Sequence, residues 1–142
     1  MVELDESLAQ VIENYKSAVF AKNVDQLMPI YDPNVRVFDA WGVWSYEGSD
    51  AWRLAAEGWL NSLGTERVKV TFEDVQGTTL QESAFVSAIV TYAAIDETGV
   101  QLRTMQNRLT WILKLGGHSL QIVHEHTSAP ISFEGMKAIF QR

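Results

Sequence analysis

Two of the three histidines, His124 and His126, flank Glu125 in the stretch QIVHEHTSAP at residues 121–130. Imidazoles spaced in this way could share a metal, act as an acid–base couple, or line a pocket. A zinc site normally takes a third protein ligand. Asp39 is the residue that could supply one, and nothing in the pattern ties it to the histidines, so no metal site is expected. Acid–base or pocket use of at least one histidine fits a side chain that titrates near neutrality. A satisfied pair bonded to backbone or to Ser128 is the competing reading.

Asp39 ends a β-type run, VRVF, and precedes the aromatic loop AWGVWSYEG. At the mouth of an apolar cavity its carboxyl would be pushed toward the range of a general base. Otherwise it is a strand-end acid held by the amides of residues 41–43. Tyr15 falls on the apolar face of the first helix, either as a pocket donor or as a packed ring whose hydroxyl finds a partner. Trp41, Trp44, Tyr46, Trp52 and Trp59 crowd into nineteen residues, and large rings of this kind hold planar or apolar ligands. Trp41 and Tyr46 are assigned to the pocket, with Trp59 as a wall that the core could also claim. Arg103, buried beside the histidines, would need a carboxylate from Asp39, Glu57 or a ligand, since an unpaired buried guanidinium is too costly.

Periodicity supplies the elements that must position these groups. Leu4, Leu8, Val11, Ile12, Tyr15, Val19 and Phe20 recur at helical steps and predict a first helix from Leu4 to about Lys22. Asn23 can cap a short second helix, Val24 to Tyr31, ended by Asp32-Pro33-Asn34. A short strand at residues 35–38 leads to an irregular aromatic loop. Ser49 or Asp50 then caps a third helix that runs to about Leu63. Residues 68–76, 82–95, 100–115 and 118–128 read as long strands separated by turns, and short connections make consecutive strands antiparallel neighbours. Strand alternation sends Arg103, Met105, Asn107, Leu109, Trp111 and Leu113 toward the helices. It also sends Leu120, Ile122, His124, His126 and Ser128 to one face, with both histidines inward if Leu120 and Ile122 are core. A single bulge would reverse them. Gln106, Arg108 and Thr110 share a mixed outer face suited to another subunit. The tail from Ile131, with Phe133, Met136, Ile139 and Phe140, reads as a short apolar-faced helix over the cavity or the interface.

The composition limits the partners. The 142 residues, 46% apolar and 11% aromatic, suit one domain spanning 1–142. The absence of cysteine excludes disulfides, thiolate metal sites and cysteine nucleophiles. A formal charge of −7 disfavours nucleic acid. No apolar run approaches a membrane span and the first residues carry no basic leader, so a cytoplasmic protein is expected.

The helical start, YDPNVRVFD, YEG, the aromatic third helix, RTMQ and LQIVHEHTSAP together resemble the nuclear transport factor 2-like superfamily over nearly the whole chain. The likeness is strongest to the association domain of calcium/calmodulin-dependent protein kinase II and its stand-alone bacterial relatives. SnoaL-like polyketide cyclases and ketosteroid isomerases are more distant members. The resemblance implies an α+β cone, with three N-terminal helices packed on a curved, mostly antiparallel sheet, and at least a homodimer. From the kinase branch it implies a polar cavity for a small acidic ligand, with Arg103, His124 and His126 among its residues. Thr127 stands where that pattern has an arginine. From the isomerase branch it implies Asp39 as base and Tyr15 as oxyanion donor, with Asn107 where a second acid stands; His124 is an alternative donor to Tyr15 on its own chemistry. Neither branch implies a cofactor. A non-catalytic oligomeric binding domain and a proton-transferring isomerase or cyclase are the two functions this leaves.

Overall fold

The computed structural model describes residues 5–142; Leu4, assigned above to the first helix, lies outside them. Helix α1, Glu6–Phe20, begins at Asp5, whose carboxylate accepts from the Ser7 amide at 2.8 Å and satisfies one of the free N–H groups of the first turn. The predicted stripe is buried at Leu8, Val11, Ile12, Tyr15 and Val19, but Phe20 is exposed under the Arg67 guanidinium. Asn23 caps α2, Val24–Leu27, through its bond from the Gln26 amide. The helix is shorter than predicted, because Pro29 turns Met28–Ile30 into a single 3-10 turn.

Strand β1, Tyr31–Phe38, follows, then the two-residue β2, Tyr46–Glu47, and α3, Ser49–Ser62. Neither Ser49 nor Asp50 caps α3. Gly48 takes the cap position at φ 89°, a conformation that glycine reaches without a Cβ penalty. Four long strands complete the chain: β3, Arg67–Thr79; β4, Ser83–Ile95; β5, Gln101–Gly116; and β6, Ser119–Ser128. They form the predicted meander within a six-stranded sheet of order β2-β1-β6-β5-β4-β3. All neighbours are antiparallel except β1 and β6. The fold is α+β, with a curved, mostly antiparallel sheet. No helix of the described residues is long and apolar enough to cross a membrane.

The core lies where α1 packs on the sheet, around Leu8, Val19, Val86, Val90, Leu109, Trp111, Leu113 and Ile122. The alternation predicted for β5 is observed from Asn107 to Leu113, with Arg108, Thr110 and Ile112 outward. On β6 the alternation breaks. Leu113 pairs with Ile122 and Ile112 with His124, leaving Val123 as an extra residue. This bulge turns over every side chain beyond it. Leu120 and Ile122 are inside as predicted, but Glu125 and Thr127 follow them in, at 2% and 5% exposure. His124 and His126 face outward.

The tail is not a helix. Residues 129–142 run extended with a turn, closed by an Ile131–Ala138 bridge and a Met136 φ of 52°. Because β6 leaves β5 at the Arg108–Ser128 pair, the edge of β5 before Arg108 is open, and the tail takes it. The Gln106 amide donates to the Phe140 carbonyl at 2.7 Å, and the Gln141 side-chain amide donates to the Thr104 carbonyl at 2.6 Å.

Candidate functional site

A cavity of about 480 Å³ lies between α3 and the sheet, and Tyr15, Leu27, Tyr31, Ala56 and Val68 of the core form part of its wall. From α3, Trp52, Ala55, Ala56 and Trp59 line it, with the Trp52 ring against Tyr31 and Tyr46 and the Trp59 ring against Tyr92. Leu27, Leu63, Val68 and Ala94 continue the apolar wall. The volume suits a small organic molecule.

The polar groups converge from α1, the end of β1, β4, β5 and β6. From α1, the Tyr15 hydroxyl meets that of Tyr92 on β4 at 3.0 Å. Tyr15 is buried and Tyr92 partly so, and burial is the first cause that pushes their acidity down: Tyr15 lies well above the ordinary tyrosine value and Tyr92 is raised in the same direction. They therefore act as neutral donors and acceptors, and since one proton bridges the pair, the other is free to point elsewhere.

Asp39, just past β1, lines the same cavity. Partial burial raises its pKa, offset by hydrogen bonds from the Thr127 hydroxyl, at 3.0 Å, and from the amides of Trp41 and Ala40. Both readings of this residue therefore hold in part: it is a strand-end acid gripped by loop amides and also a desolvated carboxyl facing an apolar space. Thr127 is pinned by the Ala40 amide at 2.9 Å, which fixes the hydroxyl that orients Asp39.

From β6, Glu125 occupies the interior position that strand parity gives to the histidines. Its Oε1 accepts from the Tyr31 hydroxyl at 2.6 Å and from the Trp111 indole at 2.9 Å. Burial raises its pKa to about 7, more than those two bonds lower it. Asn107 on β5 completes the polar end, and its Oδ1 is buried without a hydrogen-bond partner, as is Nε1 of Trp52.

Six of the nine predicted site residues meet in this cavity without qualification: Asp39, Tyr15, Asn107, Trp41, Tyr46 and Trp59. Arg103 also borders it, but at the rim, not buried beside histidines. Its side chain is 62% exposed and bonds Glu66 at 2.6 Å, while Glu57, an expected partner, pairs with Arg53. Glu66 thus supplies the countercharge whose absence would call for an acidic ligand. His124 and His126 stand outside the cavity on the opposite face, His124 with Nδ1 2.8 Å from the Arg36 carbonyl and both rings edge-on to Phe38. No group of three potential metal ligands occurs among the described residues.

The predicted placement misses Glu125, Tyr31, Tyr92 and Trp52. A glutamate within an apolar strand was the available signal for the first of these, and the bulge at Val123 hid its direction. Trp41 sits at the mouth, where the Phe140 ring of the tail stacks on it at 4.9 Å and 14°.

Comparison with known proteins matches a SnoaL-like domain family to residues 8–132. Among solved structures, a nuclear transport factor 2-like protein of unknown function from Pseudomonas putida KT2440 superposes with a TM-score of 0.83 at 22% identity, covering 95% of this chain and 92% of that one. A protein of the calcium/calmodulin-dependent protein kinase II association-domain type from Xanthomonas campestris gives 0.76 at 16%, covering 91% and 89%. Aln2 from a Streptomyces species gives 0.77 at 9%, covering 90% and 93%. These likenesses establish the fold. No curated protein matches the chain.

Proposed function

The chain belongs to the SnoaL-like domain family, and on that premise we propose that its cavity binds an uncharged, ring-containing carbonyl compound and moves a proton on it. One observation carries the reading: a single apolar-walled cavity holds both Asp39, with its raised pKa, and the neutral Tyr15–Tyr92 hydroxyl pair. In this reading Asp39 takes the proton from the carbon next to the carbonyl; the electron pair of that C–H bond becomes a C=C bond, and the C=O π pair moves onto the oxygen as an enolate. The free hydroxyl proton of the tyrosine pair donates to that oxygen where charge develops. Where the compound carries a C=C bond conjugated with the enolate, return of the proton to the far carbon of that bond shifts the double bond and completes an isomerisation. Attack of the enolate carbon on a second carbonyl would make the reaction a cyclisation instead.

The electrostatics favour an uncharged ligand. Asp39 lines the cavity with a carboxylate, and the one cation bordering it among the described residues is held by Glu66, so an entering carboxylate would meet like charge with little compensation. Acid binding by a non-catalytic domain is the second reading, supported by Arg103 at the rim, and it requires Arg103 to leave Glu66. A thermal-shift comparison of 2-tetralone with 2-naphthoate separates the two, because a ligand that binds only the folded chain raises its melting temperature. Stabilisation by the ketone alone is expected. Stabilisation by the carboxylate alone, lost in Arg103→Met, would replace this reading with the acid-binding one.

Self-association, at least as a dimer, is part of the same proposal. Its support is the mixed outer sheet face, where Phe85, Leu102 and Ile112 are each nearly half exposed, and the kinase association-domain type of one similar structure.

A further inference from the structure

Among the described residues, Glu125 is the one fully interior carboxyl of the cavity, and its surroundings are unusual for an acid. The groups that face it are Tyr31 from β1, Trp111 from β5, Tyr15 from α1, Tyr92 from β4 and Asp39 beyond β1. None is a cation. A bare carboxylate in such a place has only the two hydrogen bonds on Oε1 to offset its removal from water, so below about pH 7 the form that carries a proton is favoured. Both hydrogen bonds that it accepts from the protein fall on Oε1. The proton therefore belongs on Oε2, which has no protein partner although Glu125 lines the cavity. A second donor waits nearby: the Trp52 indole N–H is buried, lines the same cavity and makes no well-formed hydrogen bond, the Tyr31 hydroxyl oxygen being the acceptor that lies beside it. The Tyr31 ring, whose hydroxyl holds Glu125, packs edge-on to Trp52 at 6.2 Å. An unmet buried donor is costly in a closed site and favourable once a ligand supplies the acceptor.

We propose that Glu125 is a ligand-contacting acid, its uncharged Oε2–H and the Trp52 N–H together donating to an oxygen of the bound carbonyl compound. This deepens the function proposed above and rests on it. It gives the cavity two carboxyls with opposite duties, Asp39 accepting a proton and Glu125 presenting one, with burial setting them apart. It also narrows the ligand to molecules that offer an unprotonated oxygen to that corner, such as a ketone, ether or quinone.

Infrared difference spectroscopy tests it. At about pH 6 the wild type should show a protonated carboxyl stretch that Glu125→Gln removes, and titration should abolish the band toward about pH 8. Adding 2-tetralone should shift the band to lower frequency, whereas tetralin, the same rings without oxygen, should leave it in place. Ketone affinity should fall several-fold over the same pH rise in the wild type. It should stay level in Glu125→Gln, whose amide keeps a donor at any pH. Trp52→Phe should weaken the ketone several-fold and leave tetralin unchanged.

If 2-tetralone stabilises the protein while the carboxyl band neither shifts nor depends on Glu125, this inference is overturned and the proposed function stands. Failure of 2-tetralone to bind the folded wild type would remove the proposed function, and this inference with it.

Discussion

Glu125 and the histidines on either side of it are consecutive along β6, yet their environments differ completely. His124 and His126 project from the outer face, packed edge-on to Phe38, while Glu125 lies 2% exposed between Tyr31 and Trp111. By residue type the histidines look like the reactive members of the set. By environment the glutamate is, because removal from water without a cation brings its proton into the physiological range. Proton chemistry in this molecule follows from which side of the sheet a residue occupies, and one extra residue at Val123 decides the side.

That contrast can be probed in order of expected size. The folded chain holds the Glu125 proton up to about pH 7, whereas the unfolded chain releases it near the ordinary value of 4.5. The folded state therefore binds the proton more tightly, so the contribution of Glu125 to stability is fully present at and below the ordinary value, is lost as pH rises to about 7, and is absent beyond it. The loss is on the order of 3 kcal/mol. Asp39, also raised, adds to it in the same direction. Urea titrations across this range should show the fall, and Glu125→Gln should remove most of it. A slope unchanged in that variant would mean that Glu125 is ionised in the folded protein.

A smaller effect belongs to the tail. Phe140→Ala removes the ring stacked on Trp41 and should cost about 1 kcal/mol, typical of an aromatic pair. Hydrogen exchange at the Gln106 amide, which donates to the Phe140 carbonyl, should quicken with it. Equal protection in the variant would show that the strand-edge bonds hold the tail without the ring.

The smallest effect is expected outside. His124→Ala combined with His126→Ala should change stability by no more than about 0.5 kcal/mol per site. Binding of 2-tetralone should stay the same. A large loss of ketone affinity in that double variant would reverse the contrast between the two faces.

Much of this architecture is legible in the sequence because its signals are repeated. The four long strands carry many alternating positions each, so no single residue can mislead; even Gly77-Thr78, which reads as a turn but pairs with Val86 and Phe85 inside β3, shifts the β3–β4 turn only to residues 80–82. The helices show the same redundancy, and the resemblance to the nuclear transport factor 2-like superfamily rests on residues spread along the chain. Where one residue decides, the sequence is silent. Nothing about Val123 marks it as a bulge, because its cause lies in how β6 must curve to pair with β1 and β5 together. The tail shows the complementary error. Phe133, Met136, Ile139 and Phe140 are spaced as on a helix, but the open edge of β5 satisfies the tail's backbone better, and only the tertiary structure reveals that edge. Strand alternation puts Arg103 correctly on β5 and wrongly in depth, since its partner Glu66 lies 37 residues away.

Asp39 as the proton acceptor of a cavity built for uncharged carbonyl compounds is the claim on which the rest depends. Deuterium incorporation from D₂O into 2-tetralone, followed by NMR, addresses it directly in wild type and Asp39→Asn. Catalysed exchange should fall by about 10²–10⁴-fold in the variant while folding and ketone binding persist. Exchange at the same rate in a folded, ketone-binding Asp39→Asn protein would contradict that role.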